Sequence, residues 1–236
     1  VPIARLAEPA LLTDQVFASI RGSILNGELP AGYRLRIRDL ADRVGTSVMP
    51  VREAIQRLEE AGLAERVPHR GAVVKGLTLH ELVHVYDVRR VLETEAARQG
   101  AATITPADLE QLQQHYDAMR AAIAADDPIE VLDQDEALLN VLYQASGNPV
   151  LTTTIKGLWV QCRIYKLVFA RANLASDDTS PLWQFQEGLL DAARRHDSAG
   201  AAEMTSGSLL AATDRIRGEL LAHTDGSSPA PVGLVG

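Results

Sequence analysis

Between Leu35 and Leu63, two short stretches with helical apolar spacing are separated only by Gly45 and Thr46. The first, Ile37 to Val44, carries Leu40, Ala41 and Val44 on one face; the second, from Ser47 to about Ala61, carries Val51, Ala54, Ile55 and Leu58. Ala41 is small where one helix must approach another, and Gly45 permits a sharp turn. Ser47 is placed to cap the second helix by accepting from its free N–H groups, and Gly62 supplies the stop. Two strands are expected next, Leu63 to Val67 and Gly71 to Val74, around a Pro68-His69-Arg70 tip. Upstream, Val16, Ile20 and Ile24 mark an amphipathic helix over about Leu12 to Leu25, ended by Asn26-Gly27. A helix, then two helices across a tight turn, then a hairpin is the order that a winged helix-turn-helix requires.

From Thr78 onward the strand signals stop. Helices are expected at roughly 78–100, 106–124, 128–146, 149–173, 180–196 and 198–222, each break having a visible cause. Gly100 ends the first, Thr105-Pro106 and Asp127-Pro128 start the next two, and Ser146-Gly147-Asn148-Pro149 precedes the fourth. Short connections between six helices indicate an antiparallel bundle. The fold class is therefore mostly α. The expected domains are a flexible arm at 1–9, the winged helix-turn-helix at 10–76, an all-helical domain at 77–224, and a disordered Gly/Ser/Pro-rich tail at 225–236.

Charge divides along the same line. Residues 1–76 hold 11 basic and 9 acidic residues, whereas 77–236 hold 12 and 22. A mildly basic head on an acidic body allows phosphate contact by one face only. No apolar run approaches the roughly 18 to 20 residues that span a bilayer. Val1 to Ala10 has neither a basic start nor an apolar run, and the single Cys162 excludes an intrachain disulfide, so a cytoplasmic protein without membrane contact is expected. Cys162, within an apolar helical pattern, is expected to be a core residue. No Ser-His-Asp set, HExxH, P-loop or dinucleotide turn is found, which argues against an enzyme.

Chemistry for DNA recognition lies on the second helix of the pair. With Val51, Ile55 and Leu58 facing inward, its opposite face, Ser47, Val48, Met49, Arg52 and Gln56, is left to enter a major groove. Arg52 can reach a guanine edge or a phosphate. The segment resembles the GntR family of bacterial regulators, in the branch with an all-helical C-terminal domain of the FadR/FCD type. The residues carrying the resemblance are Ile24-Leu-Asn-Gly-Glu-Leu-Pro-Ala-Gly32, Arg38-Asp-Leu-Ala41, Pro50-Val-Arg-Glu-Ala-Ile55, Leu58-Glu-Glu-Ala-Gly-Leu63 and Arg70-Gly-Ala-Val73. The resemblance implies a homodimeric repressor on double-stranded operator DNA. It places Arg38 on phosphate, Ser47, Met49 and Arg52 in the groove, and Arg70 and Gly71 at the minor groove. Val48 departs from an arginine that many members carry, so contact with a thymine methyl can replace hydrogen-bonded readout there.

The second half resembles the FCD pattern through Tyr86-Asp-Val-Arg-Arg-Val-Leu-Glu93 and through Asp135 to Pro149. That resemblance implies a small-molecule effector, possibly an organic acid, inside the bundle. Arg89, Asp135, Gln161, Arg163, Tyr165 and Gln186 are the polar candidates on inward faces. Arg89 would either meet a ligand carboxylate or form an internal salt bridge, for instance with Asp135. An effector-independent DNA-binding module is the alternative. Many FCD domains hold a divalent metal through one Asp and three His; here Asp135 is present, but the other positions are Leu139, Gln186 and Gly207. His80 and His84, four residues apart, read as a surface pair. No cofactor is expected. Elemental analysis of the purified, chelator-free protein should therefore find well under one transition-metal ion per chain; a stoichiometric ion would overturn this expectation.

Overall fold

The computed structural model describes residues 10–224 except Asp177, so the expected arm at 1–9 and tail at 225–236 lie outside the described residues. The chain divides between Gly76 and Leu77 into two compact units. In the first, helix α1 (Ala10–Leu25), α2 (Ile37–Val44) and α3 (Val48–Glu60) precede strands β1 (Ala64–Val67) and β2 (Gly71–Val74). The strands pair antiparallel, with Ala64 opposite Val74 and Val67 opposite Gly71, and Arg34 bridges to Val73. Ile24, Val51, Ala54 and Leu58 are completely buried, because the apolar stripe of α3 lies against α1 and α2.

The turn between α2 and α3 depends on Gly45, whose φ of 69° is left-handed; its N–H and that of Thr46 both donate to the Ala41 carbonyl. Ser47 takes the N-cap position of α3 with an extended backbone, but its side chain makes no capping hydrogen bond. The expected cap is therefore absent. Ser47 is exposed at an open helix end, where water can serve the first-turn N–H groups.

The second unit contains α4 (Leu79–Thr103), α5 (Pro106–Ala124), α6 (Pro128–Gln144), α7 (Pro149–Leu174), α8 (Gln184–Arg194) and α9 (Ser198–Thr224). Four helix starts follow from local chemistry. Thr78 with Glu81 and Thr105 with Asp108 form reciprocal capping boxes, and Asp127 and Asn148 accept from first-turn N–H groups. Proline follows three of these caps, where its missing N–H costs nothing. The core is built from α4, α5, α6, α7 and α8, with Leu112, Met119, Leu138, Leu142 and Ile155 fully buried. Among the described residues no helix is long and apolar enough to cross a membrane.

Two expectations change. The segment at 180–196 is not one helix: Ser180–Leu182 forms a single 3-10 turn, and Trp183, with φ near −139°, breaks it from α8. Gly100 does not end α4, which continues to Thr103. The glycine is required instead for close approach, since an added Cβ would collide with the backbone carbonyl of Leu142 on α6. Gly157 on α7 is a matched contrast, because a Cβ there would meet nothing within 4 Å. Gly157→Ala should stabilise by up to about 1 kcal/mol through helix propensity. Gly100→Ala should destabilise by about 1–3 kcal/mol, because overpacking outweighs that gain. Urea unfolding of both variants checks the opposite signs; equal shifts would mean that the α4–α6 contact is not tight.

Candidate functional site

The first unit presents a charged surface around α3. While Val51, Ala54, Ile55 and Leu58 are buried, Val48 and Met49 stand 41% and 56% exposed beside exposed Ser47 and Arg52. An exposed pair of large apolar side chains at a helix N-terminus is costly in water unless it serves a contact. Three of the neighbouring arginines are held in ion pairs. Arg36, Arg57 and Arg66 pair with Asp39, Asp14 and Glu59 at 3.6, 2.5 and 3.0 Å. Arg38, Arg52 and Arg70 are exposed and, among the described residues, none has a carboxylate within 4.0 Å. At the hairpin tip His69 and Gly71 adopt left-handed φ values of 61° and 76°, turning the chain at Arg70.

The second unit contains a cavity of about 110 Å³ that opens to solvent. Its polar floor comes from α4, α6 and α7. Glu93, 1% exposed, accepts from Arg89 at 2.7 and 3.4 Å, from the Trp159 indole at 2.9 Å and from the Tyr143 hydroxyl at 3.2 Å. Arg89 also donates to the Cys162 sulfur at 3.3 Å and lies over the Tyr86 ring. Burial opposes the Arg89 charge, yet the Glu93 carboxylate holds the guanidinium well above its usual range. Burial also pushes the Tyr86 hydroxyl up to about 12 and raises the Cys162 thiol. Cys162 thus remains a protonated core thiol rather than a nucleophile.

On α6, Asp135 accepts from the Lys166 ammonium at 2.9 Å and from the Gln186 amide nitrogen at 2.7 Å. Burial works against the Lys166 charge, but Asp135 and Glu136 raise its pKa above the ordinary value. Leu132, Leu139, Phe185, Leu189 and Leu209 supply apolar walls, and Thr205, Ser208 and Arg215 of α9 complete the lining.

Of the six inward candidates, Arg89, Asp135, Tyr165 and Gln186 line this cavity, while Gln161 and Arg163 do not. Gln161 is exposed and bonds back to the Gly157 carbonyl. Arg163, 7% exposed, is held by Asp133 at 2.5 Å and Glu136 at 3.0 Å. The anticipated Arg89–Asp135 pair does not form either. Arg89 pairs with Glu93, four residues along the same helix, and Lys166 takes Asp135. The i,i+4 spacing of Arg89 and Glu93 was the available signal for the first pair; nothing local marked Lys166, Thr205 or Arg215.

The metal implied by the FCD resemblance does not fit these residues. The Lys166 ammonium already neutralises Asp135, the Gln186 amide turns its nitrogen to the same carboxylate, and Leu139 offers no donor atom. Among the described residues no group of three His, Cys, Asp or Glu side chains could hold an ion. His80 and His84 are both exposed.

The Glu93 cluster supports a stability test. Glu93→Gln leaves the buried Arg89 guanidinium without its counter-charge and should cost about 3–5 kcal/mol. The double variant Arg89→Met/Glu93→Leu removes both charges and should recover most of that loss in denaturant unfolding. A double variant as unstable as the single one would show that packing, not charge, governs this position.

Comparison with known proteins agrees with this architecture. The family model for bacterial regulatory proteins of the gntR family matches residues 12–74, and the FCD domain model matches residues 84–210. The HTH-type transcriptional regulator McbR of Escherichia coli K12 is 29% identical over 150 residues, covering 64% of this chain and 68% of that protein. The HTH-type transcriptional repressor RspR of the same organism is 26% identical over 147 residues, covering 62% and 64%. The solved structure of E. coli McbR/YncC superposes with a TM-score of 0.73 at 22% identity, over 91% of this chain and all of that one, which speaks for the fold. These relatives are transcription regulators and not enzymes. With both models matched in order along one chain, the protein belongs to the GntR family of bacterial regulatory proteins and carries an FCD domain.

Proposed function

We propose that the chain is a cytoplasmic, homodimeric transcription repressor that binds an inverted-repeat operator through its winged heads and is modulated by a small molecule held in the helical cavity. One observation carries the DNA half of this proposal. Arg38, Arg52 and Arg70 stand exposed on the unit bearing Val48 and Met49, without carboxylate partners among the described residues, whereas Arg36, Arg57 and Arg66 are paired. Unpaired guanidiniums can neutralise phosphates without first breaking an internal ion pair. In this proposal α3 enters the major groove, Arg52 reaches a guanine edge or phosphate, and Met49 and Val48 cover apolar base surface. Arg38 grips the backbone, and Arg70 with Gly71 brings the wing to the minor groove.

Two-fold pairing would present two such heads to two half-sites. Val88 and Val91, 49% and 64% exposed and one turn apart on α4, are an apolar pair that such pairing would cover. A ligand favouring one packing of the bundle would change operator affinity by its difference in affinity for the two states. An organic acid grasped by Arg89, the arrangement considered from sequence, would meet a guanidinium already engaged by Glu93. Unpartnered polar atoms in the cavity favour a sensor over an effector-independent module.

Arg52→Ala should weaken operator binding about 10- to 100-fold, in line with the loss of one base or phosphate contact. Its dimer mass by light scattering should be unchanged. Gel-shift titration against wild type checks the effect, and equal affinity would remove α3 from the groove.

A further inference from the structure

The Glu93 and Asp135 clusters leave a short inventory of polar atoms in the cavity without partners. The Gln186 Oε1 and the Thr205 Oγ1 are buried with no hydrogen bond, and Thr205 is only 5% exposed. Both residues line the cavity, and Ser208 lies one turn along α9 from Thr205 on the same lining. The Gln186 amide cannot simply be rotated, because Asp135 needs the donor nitrogen at 2.7 Å. Its outward atom is therefore an acceptor, which must receive an O–H or N–H. Polar atoms facing an open cavity are served either by water or by a ligand that displaces it and reproduces its hydrogen bonds.

The charges point the same way. Arg89 is matched by Glu93, and Lys166 by Asp135 and Glu136. An ionised carboxylate entering here would find Arg89 and Lys166 already engaged and would approach the Glu93 and Asp135 carboxylates. It also has no hydrogen to give Gln186 Oε1. Arg215 also lines the cavity, more than a third exposed and stacked over the Phe169 ring at 3.9 Å, and its partial burial lowers its pKa.

We infer that the cavity takes an uncharged, hydroxyl-bearing small molecule of the sugar-alcohol class, one hydroxyl donating to Gln186 Oε1 and another pairing with Thr205 Oγ1. Its C–H faces lie against Leu139, Phe185 and Leu189. This inference rests on the cavity being an effector site, as proposed above, and deepens it by naming the ligand chemistry.

The test uses the full chain with matched probes, ribitol against D-ribonate and sorbitol against D-gluconate, which differ at one terminal group. Calorimetric titration and thermal melting are run at millimolar concentrations and below, where exclusion of polyols from the protein surface is negligible. A saturable response to ribitol or sorbitol, at least ten-fold weaker with the matched acid, is the expected result. Thr205→Val should lower that affinity at least ten-fold while leaving the melting temperature of the ligand-free protein unchanged or higher, since the lost hydroxyl has no partner. An acid that binds as tightly as its polyol, or a polyol whose affinity is unaffected by Thr205→Val, overturns the inference; operator release by such an acid leaves the proposed repressor standing. If no probe binds, the inference falls, and a gel shift with each probe then shows whether operator control falls with it.

Discussion

A carboxylate in the middle of an apolar bundle is tolerable only if its charge and lone pairs are fully occupied, and Glu93 meets that condition through Arg89, Tyr143 and Trp159. These donors come from three helices, α4, α6 and α7. A single buried acid therefore ties three helices to one rotational setting, which apolar packing alone would specify less sharply. The cavity floor inherits its geometry from that cluster. Tyr86 packs on Arg89, Tyr165 meets Tyr86 edge-on with ring centres 6.4 Å apart, and Lys166 sits near the Trp159 ring.

The same arrangement explains why the site departs from the metal-binding pattern of FCD domains. Lys166 supplies one fixed positive charge where a divalent ion would otherwise balance Asp135. An ammonium donates hydrogen bonds but offers no coordination positions, so it cannot hold a ligand's oxygen atoms as a metal ion would. Gln186 and Thr205 remain, and both are neutral. The charge pairs hold the helices, while the Gln186 and Thr205 oxygens are left to meet a ligand. In the head, Arg36, Arg57 and Arg66 are likewise held in ion pairs, whereas Arg38, Arg52 and Arg70 are exposed without a carboxylate partner among the described residues.

Much of the architecture was legible beforehand because it is written in short-range chemistry. The apolar stripe of α3, the left-handed turn at Gly45, and the caps at Thr78, Thr105, Asp127 and Asn148 each involve residues within about one helical turn. Expectations failed where a residue's role was set by something distant. Gly100 looked like a helix stop, but the Leu142 backbone is what excludes a side chain there. Arg163 looked like an inward polar group, yet Asp133 and Glu136 of α6 hold it away from the cavity.

By itself the sequence determined the two-part organisation, the helix-turn-helix with its hairpin, nearly all helix starts and the family resemblance. Periodicity and capping are properties of neighbours along the chain. Only the tertiary structure decided which acid meets which base: Arg89 with Glu93 rather than Asp135, Lys166 with Asp135, and Gln186 Oε1 and Thr205 Oγ1 with no partner. Those assignments depend on how far each helix is rotated about its axis when the core closes. A rotation of one residue, about 100°, would turn a cavity-lining side chain out of the cavity while leaving every local pattern unchanged.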